Sequence, residues 1–229
     1  MYNLITDKLE KEKIVNQFYF LLGGYIEDFM MKFLNKESFR LDLMAVFFKS
    51  DLDEEDDEEE LQEIKDNQIL LVSEYPASPT DAKAYYYYDE FYTYLKRYIE
   101  ENYNEDTKLQ GLLNEIKKEN LINQYFFLIG GNIEVMLEKF LKMEAFGVDS
   151  MGILFKNDLD EEDDEEELQE IKNDQVLLVS EYPASPNDEK AYYYYDEFYT
   201  YLKRYIEENY NEDTKLQGLL KEIKAVFNL

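Results

Sequence analysis

The chain contains no cysteine, no histidine and no tryptophan. Without cysteine, disulfides, thiolate nucleophiles and zinc–thiolate sites are all excluded. Without histidine, the commonest general base and metal ligand is missing, so Ser–His and Cys–His nucleophile pairs cannot form. Basic residues are also scarce, because 24 Lys and Arg stand against 53 Asp and Glu and leave a net charge of −29. Such a chain is repelled by nucleic acid and by anionic membranes, whereas its field attracts cationic proteins or metal ions.

Long apolar runs are missing as well. The opening residues, MYNLITDKLEKEK, lack the basic and then apolar regions of a secretory signal, and runs such as Phe18–Leu22 are too short to span a bilayer. No glycine-rich phosphate loop is present. We therefore expect a cytoplasmic protein that holds no cofactor or metal and is not an enzyme. Hydrophobic residues make up 45% of the chain, which is enough for a folded core rather than a disordered acidic tail.

What the chain does contain is one unit written twice. A shift of 107 residues superimposes the sequence on itself without a gap, and Asp51–Lys117 differs from Asp158–Lys224 at only six positions. The preceding part, Ile14–Ser50 against Leu121–Asn157, is identical at fewer than half of its positions but keeps its apolar pattern. Two copies at this period indicate two similar domains rather than a solenoid. We place them at residues 1–107 and 108–229.

Each unit is predicted to be α+β, with an N-terminal helix, a small antiparallel sheet and two C-terminal helices. Apolar residues at three- and four-residue steps predict a helix over Ile14–Leu34, in which Gly23-Gly24 indicates a kink or a close packing contact. Strands are predicted at Leu43–Phe48, Gln68–Tyr75 and Ala84–Tyr88, with a turn at Pro76–Pro79. Asp89 is predicted to cap a helix over Glu90–Tyr103, and Asn104 to begin a last helix that runs almost directly into the second copy.

The most unusual stretch is Asp51–Glu60, DLDEEDDEEE, which returns unchanged at Asp158–Glu167 and has nine carboxylates in ten residues. Ser50 can cap a short helix here, anchored by Leu61 and Ile64, but a loop ordered by a partner is also compatible with the sequence. A calcium-binding loop is not compatible with the sequence, because Asp56 stands where the turn glycine is needed and Gln62 where the closing glutamate is needed. The stretch is either a solvated face that maintains solubility or a recognition surface for a basic partner.

Tyrosines provide the second signal, with four in a row at Tyr85–Tyr88 and four more by Tyr103. Most are expected to pack on the sheet and its covering helix. Alternate tyrosines of a strand point to opposite faces, so two of the four should lie on the outer side as interface anchors. We expect the partner to contact Asp51, Asp53, Glu54, Glu55, Asp56, Asp57, Glu58, Glu59, Tyr86 and Tyr88, and in the second copy Asp158, Asp160, Glu161, Glu162, Asp163, Asp164, Glu165, Glu166, Tyr193 and Tyr195.

The stretch SDLDEEDDEEE, followed by a strand and then by YYYYDEFYTYLKRYIEENYNEDTKLQGLLNEIK, resembles the ribonuclease-toxin immunity proteins of contact-dependent growth inhibition (CDI) systems. The matching elements are Asp51–Glu54, Asp89–Leu95, Tyr98–Glu100 and Glu105–Ile116, with second copies at Asp158–Glu161, Asp196–Leu202, Tyr205–Glu207 and Glu212–Ile223. The tandem duplication and the YPASP segment depart from the family pattern. The resemblance implies a non-enzymatic protein that binds and neutralises a basic toxin domain, a nuclease, in the cytoplasm.

Two other function classes fit the charge. An acidic mimic of nucleic acid would block nucleic-acid-binding proteins, and it would bind several unrelated basic proteins rather than one toxin family. A cation-binding or structural scaffold would bind divalent ions through the acidic stretch. The sequence identifies neither the toxin nor the number of toxin molecules that one chain binds.

Overall fold

The computed structural model describes residues 2–181 and 188–229. The chain divides into two compact units, Met1–Asn120 and Leu121–Leu229. The repeat period alone places a division after residue 107, whereas the contacts place it after Asn120, within a continuous helix. Both units have the α+β architecture that the sequence predicts.

The first unit contains five strands and four complete helices, and it shares a fifth helix with the second unit. Its elements are β1 (Asn3–Leu4), α1 (Lys8–Leu22), α2 (Ile26–Leu34), β2 (Phe39–Leu41), β3 (Met44–Phe48), α3 (Glu58–Glu63), β4 (Gln68–Ser73), β5 (Ala82–Tyr87), α4 (Tyr88–Asn102) and the beginning of α5 (Thr107–Ile129). Single 3₁₀ turns lie at Gly23–Tyr25 and Lys49–Asp51. The predicted turn at Pro76–Pro79 is present, and its second copy lies outside the described residues.

After the end of α5, the described part of the second unit repeats the elements of the first unit from α2 onward. They are α6 (Ile133–Phe140), β6 (Phe146–Val148), β7 (Met151–Phe155), α7 (Glu165–Glu170), β8 (Gln175–Ser180), β9 (Glu189–Tyr194), α8 (Tyr195–Asn209) and α9 (Thr214–Val226), with 3₁₀ turns at Gly130–Asn132 and Lys156–Asp158. Since α5 is uninterrupted, the prediction that the last helix of one copy continues into the next is confirmed.

The glycine pair breaks the predicted first helix into α1 and α2. Gly23 has φ of +46°, a backbone conformation that residues with a Cβ rarely adopt. A Cβ placed on either Gly23 or Gly24 would meet no heavy atom within 4 Å. The kink is therefore confirmed, and the alternative of a close packing contact is wrong. Gly130 has φ of +49° at the equivalent place in the second unit.

The sheet of each unit is built from the predicted strands and from short strands that the sequence did not predict. The strand order is β1-β5-β4-β3-β2 in the first unit and β6-β7-β8-β9 in the described part of the second. Neighbouring strands are antiparallel, except that β1 pairs with β5 in parallel. The unpredicted strands are β1, which has two residues, and β2 with its equivalent β6, which have three residues each.

The main core lies between one face of the sheet and the long helices, and it is largely aromatic. In the first unit the Phe29 and Phe91 rings lie 6.2 Å apart, and Phe18 packs edge-on against Phe29 at 5.1 Å. Ile69 and Leu71 of β4 face this core, whereas Leu70 and Val72 face the opposite side and form a small second cluster. The sheet thus has an inner face under the helices and an outer face on the other side.

Helix starts differ in detail from the prediction. The N-cap residue of α4 is Tyr87 rather than Asp89, because the amide of Tyr88 donates to the carbonyl of Asn67 and the helix begins at once. The next helix begins at Thr107 rather than Asn104, because Asp106 accepts hydrogen bonds from the amides of Lys108 and Leu109. Among the described residues no helix is both long enough and apolar enough to cross a membrane.

Candidate functional site

The acidic segment, defined here as Asp51–Glu63, is half turn and half helix. Asp51 Oδ2 accepts from the amide of Phe48 at 2.8 Å, and Asp53 Oδ1 accepts from the amide of Glu55 at 2.7 Å. The carboxylate of Asp57 turns back to the amide of Asp53 at 3.0 Å, so it does not cap α3, which starts one residue later. The prediction that Ser50 caps this helix is wrong.

The second acidic segment, Asp158–Glu170, has the same local geometry. Asp158 accepts from the amide of Phe155 at 2.8 Å, Asp160 from the amide of Glu162 at 2.7 Å, and Asp164 from the amide of Asp160 at 2.9 Å. Identical sequence therefore folds identically in both repeats. In each, three of the aspartates serve as acceptors that fix the turn.

A lysine from the sheet holds the helical half of the first acidic segment. Lys83 lies on the outer face of β5, and its Nζ lies 2.9 Å from Glu60, 3.0 Å from Glu63 and 3.5 Å from Glu59. The Tyr85 hydroxyl, two residues along the same face, donates to Glu63 at 2.8 Å. Because the Lys83 side chain is only 3% exposed, these carboxylates are its replacement for water.

Lys190 makes the same contacts in the second repeat. Its Nζ lies 3.0 Å from Glu170, 3.3 Å from Glu167 and 3.5 Å from Glu166, and Tyr192 donates to Glu170 at 2.6 Å. The Lys190 side chain is 33% exposed, so the two lysines bind equivalent glutamates but differ in their access to water.

The charges of the first cluster stabilise one another. Burial by itself lowers the pKa of Lys83, but the hydrogen bonds to Glu60 and Glu63 outweigh it and raise that pKa above its ordinary value. The hydrogen bond from Lys83, helped by the one from Tyr85, lowers the pKa of Glu63. Burial, together with the hydrogen bond to Glu63, raises the pKa of Tyr85. The lysine therefore stays protonated and the glutamate stays ionised at neutral pH.

The acidic run itself contains no lysine, so its own sequence does not indicate Lys83 and Lys190 as its partners. A signal was present, since strand alternation places Lys83 on the same face as Tyr85 and Tyr87. Lys83 is also the basic residue within β5, a strand that otherwise consists of alanines and tyrosines.

Other carboxylates of the segments project into water. Glu54, Glu55 and Asp56 are exposed, and within the described part of the chain their side chains make no hydrogen bond or ion pair. The same holds for Glu161, Glu162 and Asp163. Glu58 and Glu165 are also exposed, and among the described residues each accepts only from a glutamine one helical turn later. Six carboxylates are thus available to a partner without disturbing the fold.

The prediction that Tyr86 and Tyr193 are exposed is wrong, because both are fully buried. The register pairs Tyr86 with Ile69, whose side chain faces the main core, and the Tyr86 hydroxyl donates to the carbonyl of Lys11 at 2.7 Å. The outer face instead carries the preceding and following residues, since Tyr85 pairs with Leu70 of the outer cluster.

Tyr88 and Tyr195 are half-buried at the start of α4 and α8 and pack against the main cores. Burial, with the nearby charges of Asp66 and Asp51, raises the pKa of Tyr88 to about 12. These two tyrosines therefore support the core rather than extend the outer face.

The exposed aromatic residue beside each acidic segment is Tyr87 in the first repeat and Tyr194 in the second, each 38% exposed. Lys65 Nζ donates to the Tyr87 hydroxyl at 2.8 Å, and Lys172 donates to the Tyr194 hydroxyl. Each ring is therefore held in place at the surface by a lysine that follows the acidic helix.

No group of three or more acidic side chains within residues 2–181 and 188–229 has the arrangement of metal ligands. The carboxylates are directed to backbone amides, to lysine or to water. The described surface is therefore suited to docking a cationic partner through charge.

Comparison with known proteins identifies the second repeat. Residues 118–220 match the model of the family described as CDI immunity protein. No curated protein and no solved structure matches the chain significantly. The first unit repeats the fold of the matched region and much of its sequence. Residues 118–220 are therefore a CDI immunity protein domain, in a chain that consists of two similar α+β units.

Proposed function

We propose that this chain binds a basic ribonuclease toxin of contact-dependent growth inhibition and neutralises it by covering the toxin's phosphate-binding cleft with its acidic outer faces. CDI immunity proteins bind a cognate toxin domain and are typically non-enzymatic. The observation that carries the proposal of an acidic contact surface is the set of exposed carboxylates Glu54–Asp56 and Glu161–Asp163, and Tyr87 and Tyr194 are exposed in the same repeats.

Charge supports a nuclease as the partner. A nuclease must present a positive cleft to hold phosphates, and an inhibitor with a negative face is steered to that cleft. Steering raises association rates by about ten- to a thousandfold at low salt. Rapid capture is useful when free toxin degrades RNA.

The partner contacts proposed here differ from those that the sequence predicts. Tyr87 and Tyr194 replace the buried Tyr86 and Tyr193 as aromatic contacts. Glu59 and Glu166 contribute charge while they remain paired with lysine. The turn aspartates position the free carboxylates between them, so neutralising those aspartates would change shape as well as charge.

The experiment neutralises only the free carboxylates. Replacing Glu54, Glu55, Asp56 and their second-repeat equivalents with Gln or Asn removes three charges per repeat. A charge pair about 10 Å apart in water contributes about 0.4 kcal/mol, and salt near 0.1 M reduces this to about 0.15 kcal/mol. Against a cleft with about three effective positive charges, three lost carboxylates weaken attraction by about 1.4 kcal/mol, or about tenfold in the association rate.

A matched control carries the same charge change elsewhere. Glu100, Glu101 and Glu105, with Glu207, Glu208 and Glu212, are exposed on the C-terminal side of α4 and α8. Their replacement by Gln should leave association with the cognate toxin nearly unchanged. The readouts are stopped-flow association at several salt concentrations and protection of RNA in a cell-free nuclease assay. Equal loss in both variants would show that net charge alone matters, and no loss in either would show that the outer face is not the site.

The same assay separates this proposal from an acidic nucleic-acid mimic. An immunity protein should protect against one toxin family and leave an unrelated basic nuclease active. Inhibition of several unrelated basic proteins with comparable affinity would instead favour the mimic.

A further inference from the structure

The first repeat covers part of its own outer face with the N-terminal segment of the chain. Tyr2 packs against the outer cluster formed by Ala45, Ile64, Leu70 and Val72, and its hydroxyl donates to Glu74 at 3.1 Å. The strand β1 holds Tyr2 there, because the amides of Asn3 and Ile5 donate to carbonyls at the edge of β5 at 2.9 and 2.8 Å.

Within residues 121–181 and 188–229, the second repeat has the same face without an equivalent of this N-terminal strand. The residues that correspond to Tyr2–Ile5 are Leu109–Leu112, and these lie within α5. Val72 is 6% exposed and Ala45 1% exposed, whereas their equivalents Val179 and Gly152 are only half-buried.

The lysines of the two acidic clusters differ in the same direction. The Lys83 side chain is 3% exposed, whereas the Lys190 side chain is 33% exposed. The more exposed outer face beside α7 is called the notch, with Gly152 and Val179 at its centre and Lys190 and Tyr192 along one side.

The notch is more acidic than its covered counterpart. Glu181 is exposed at the position of Glu74, which accepts the Tyr2 hydroxyl in the first repeat. Arg40, which lies 4.0 Å from Glu74, is replaced by Gly147. The segment that enters this notch should therefore present an apolar ring to the centre of the notch and positive charge to the carboxylates.

We propose, on the basis of the function proposed above, that the second repeat binds an extended segment of its basic toxin whose aromatic side chain enters this notch as Tyr2 does in the first repeat. Flanking lysines or arginines face Glu181 and the carboxylates of α7. A second copy of the chain is a poorer occupant, because its own N-terminal segment is already paired with β5 and carries no basic residue among Tyr2–Asp7.

The test uses the whole protein and two synthetic peptides. The first peptide contains Tyr-Asn-Leu-Ile, the sequence of residues 2–5, between lysines, and the second has serine in place of the tyrosine. Amide chemical shifts of the ¹⁵N-labelled protein are followed during titration. The tyrosine peptide should shift Gly152, Val179 and Tyr192 and should bind at least about tenfold more tightly than the serine peptide. Ala45 and Val72 should not shift.

Two sets of variants locate the binding. Gly152→Ala should bind normally, because its Cβ would meet Gly147 Cα and Val179 Cγ2 at an ordinary 3.7 Å. Gly152→Phe should fill the notch and abolish binding of the tyrosine peptide. Tyr2→Ala should open the first notch, so that the peptide stoichiometry rises from one to two per chain. This gain of a site keeps the proposal testable even if Gly152→Phe fails to fold.

The outcomes distinguish the notch from the acidic surface. If both peptides shift the acidic segments of both repeats equally, the notch proposal is overturned and the charge-based function stands. If the tyrosine peptide binds the notch while the carboxylate variants above still capture toxin normally, the notch stands and the acidic surface fails. If neither peptide shifts the protein, the notch proposal is refuted.

Discussion

Replacing the lysine of each acidic cluster with methionine should destabilise the first repeat more than the second. In the first repeat, Lys83 is 3% exposed and its three glutamates are between 18% and 66% exposed. Removing one partner of a fully buried ion pair costs about 3–5 kcal/mol. Because these carboxylates can partly rehydrate, we expect about 2 kcal/mol for Lys83→Met. For Lys190→Met the loss should fall below about 1 kcal/mol, the range of exposed ion pairs.

Hydrogen exchange measured by mass spectrometry can follow the two repeats separately. The strands behind the acidic helices differ as QILLVS and QVLLVS, so their peptides have different masses. Amides of α3 and its strand should exchange about 30-fold faster in Lys83→Met, whereas Lys190→Met should accelerate those of α7 less than about fivefold.

The comparison is matched, because the two variants change the same residue in nearly identical sequence. Equal acceleration in the two repeats, or a larger effect of Lys190→Met, would refute the argument that burial of the ammonium sets the cost. A further check is the double variant Tyr2→Ala, Lys83→Met. Tyr2 belongs to the N-terminal segment whose strand β1 pairs with β5 at Lys83, so without the Tyr2 ring the additional effect of losing this lysine should move towards that of Lys190→Met.

Three other outcomes follow from the structure. Gly23→Ala should lower the free energy of unfolding by about 1–2 kcal/mol, because a Cβ is disfavoured at positive φ, whereas Gly24→Ala should not lower it. Thermal unfolding of the two variants would test this difference. Ser73→Ala and Ser180→Ala should leave the stability unchanged or raise it by up to about 1 kcal/mol, because these buried hydroxyls have no partner among the described residues. Exchange protection of α3 should fall as the pH drops through the folded pKa of Glu63, which Lys83 holds below its ordinary 4.5.

The sign of the acid effect follows from that pKa. Because the folded pKa of Glu63 is lowered, its stabilisation is present above the ordinary value and is lost as the pH falls through the folded value. For Lys83, whose folded pKa is raised, stabilisation is present below 10.5 and is lost as the pH rises through the higher folded value. Exchange protection of α3 that is constant from neutral pH to well below 4.5 would contradict the argument that Lys83 holds α3 through its glutamates.

A loss of stability of 1 kcal/mol or more in both serine variants would mean that the two hydroxyls have hydrogen-bond partners in solution.

The sequence predicted the repeated elements because their signals are local. Apolar periodicity gave the helices, and runs of Ile, Leu and Val gave the buried strands β4 and β8. The errors occurred where a local rule competed with a contact from elsewhere. Asp89 has the chemistry of an N-cap, but α4 starts two residues earlier than predicted, at Tyr88, because the amide of Tyr88 donates to the carbonyl of Asn67 at the end of the neighbouring turn.

The tyrosine face shows the same limit. Alternation correctly requires two of the four tyrosines to point each way, but it does not say which two. Pairing of Tyr86 with Ile69 and of Tyr85 with Leu70 decides it, and a shift of one residue would reverse it.

By itself the sequence determined the duplication, the α+β class, the position of the acidic segments and the absence of histidine and cysteine chemistry. Only the tertiary structure decided which carboxylates are free, because Lys83 and Lys190 reach the acidic helices from strands that lie about twenty residues further along the chain. It also decided that the two repeats differ, since the N-terminal strand covers one outer face while its sequence counterpart is held in a helix. Such differences arise from packing between distant segments, which no local pattern encodes.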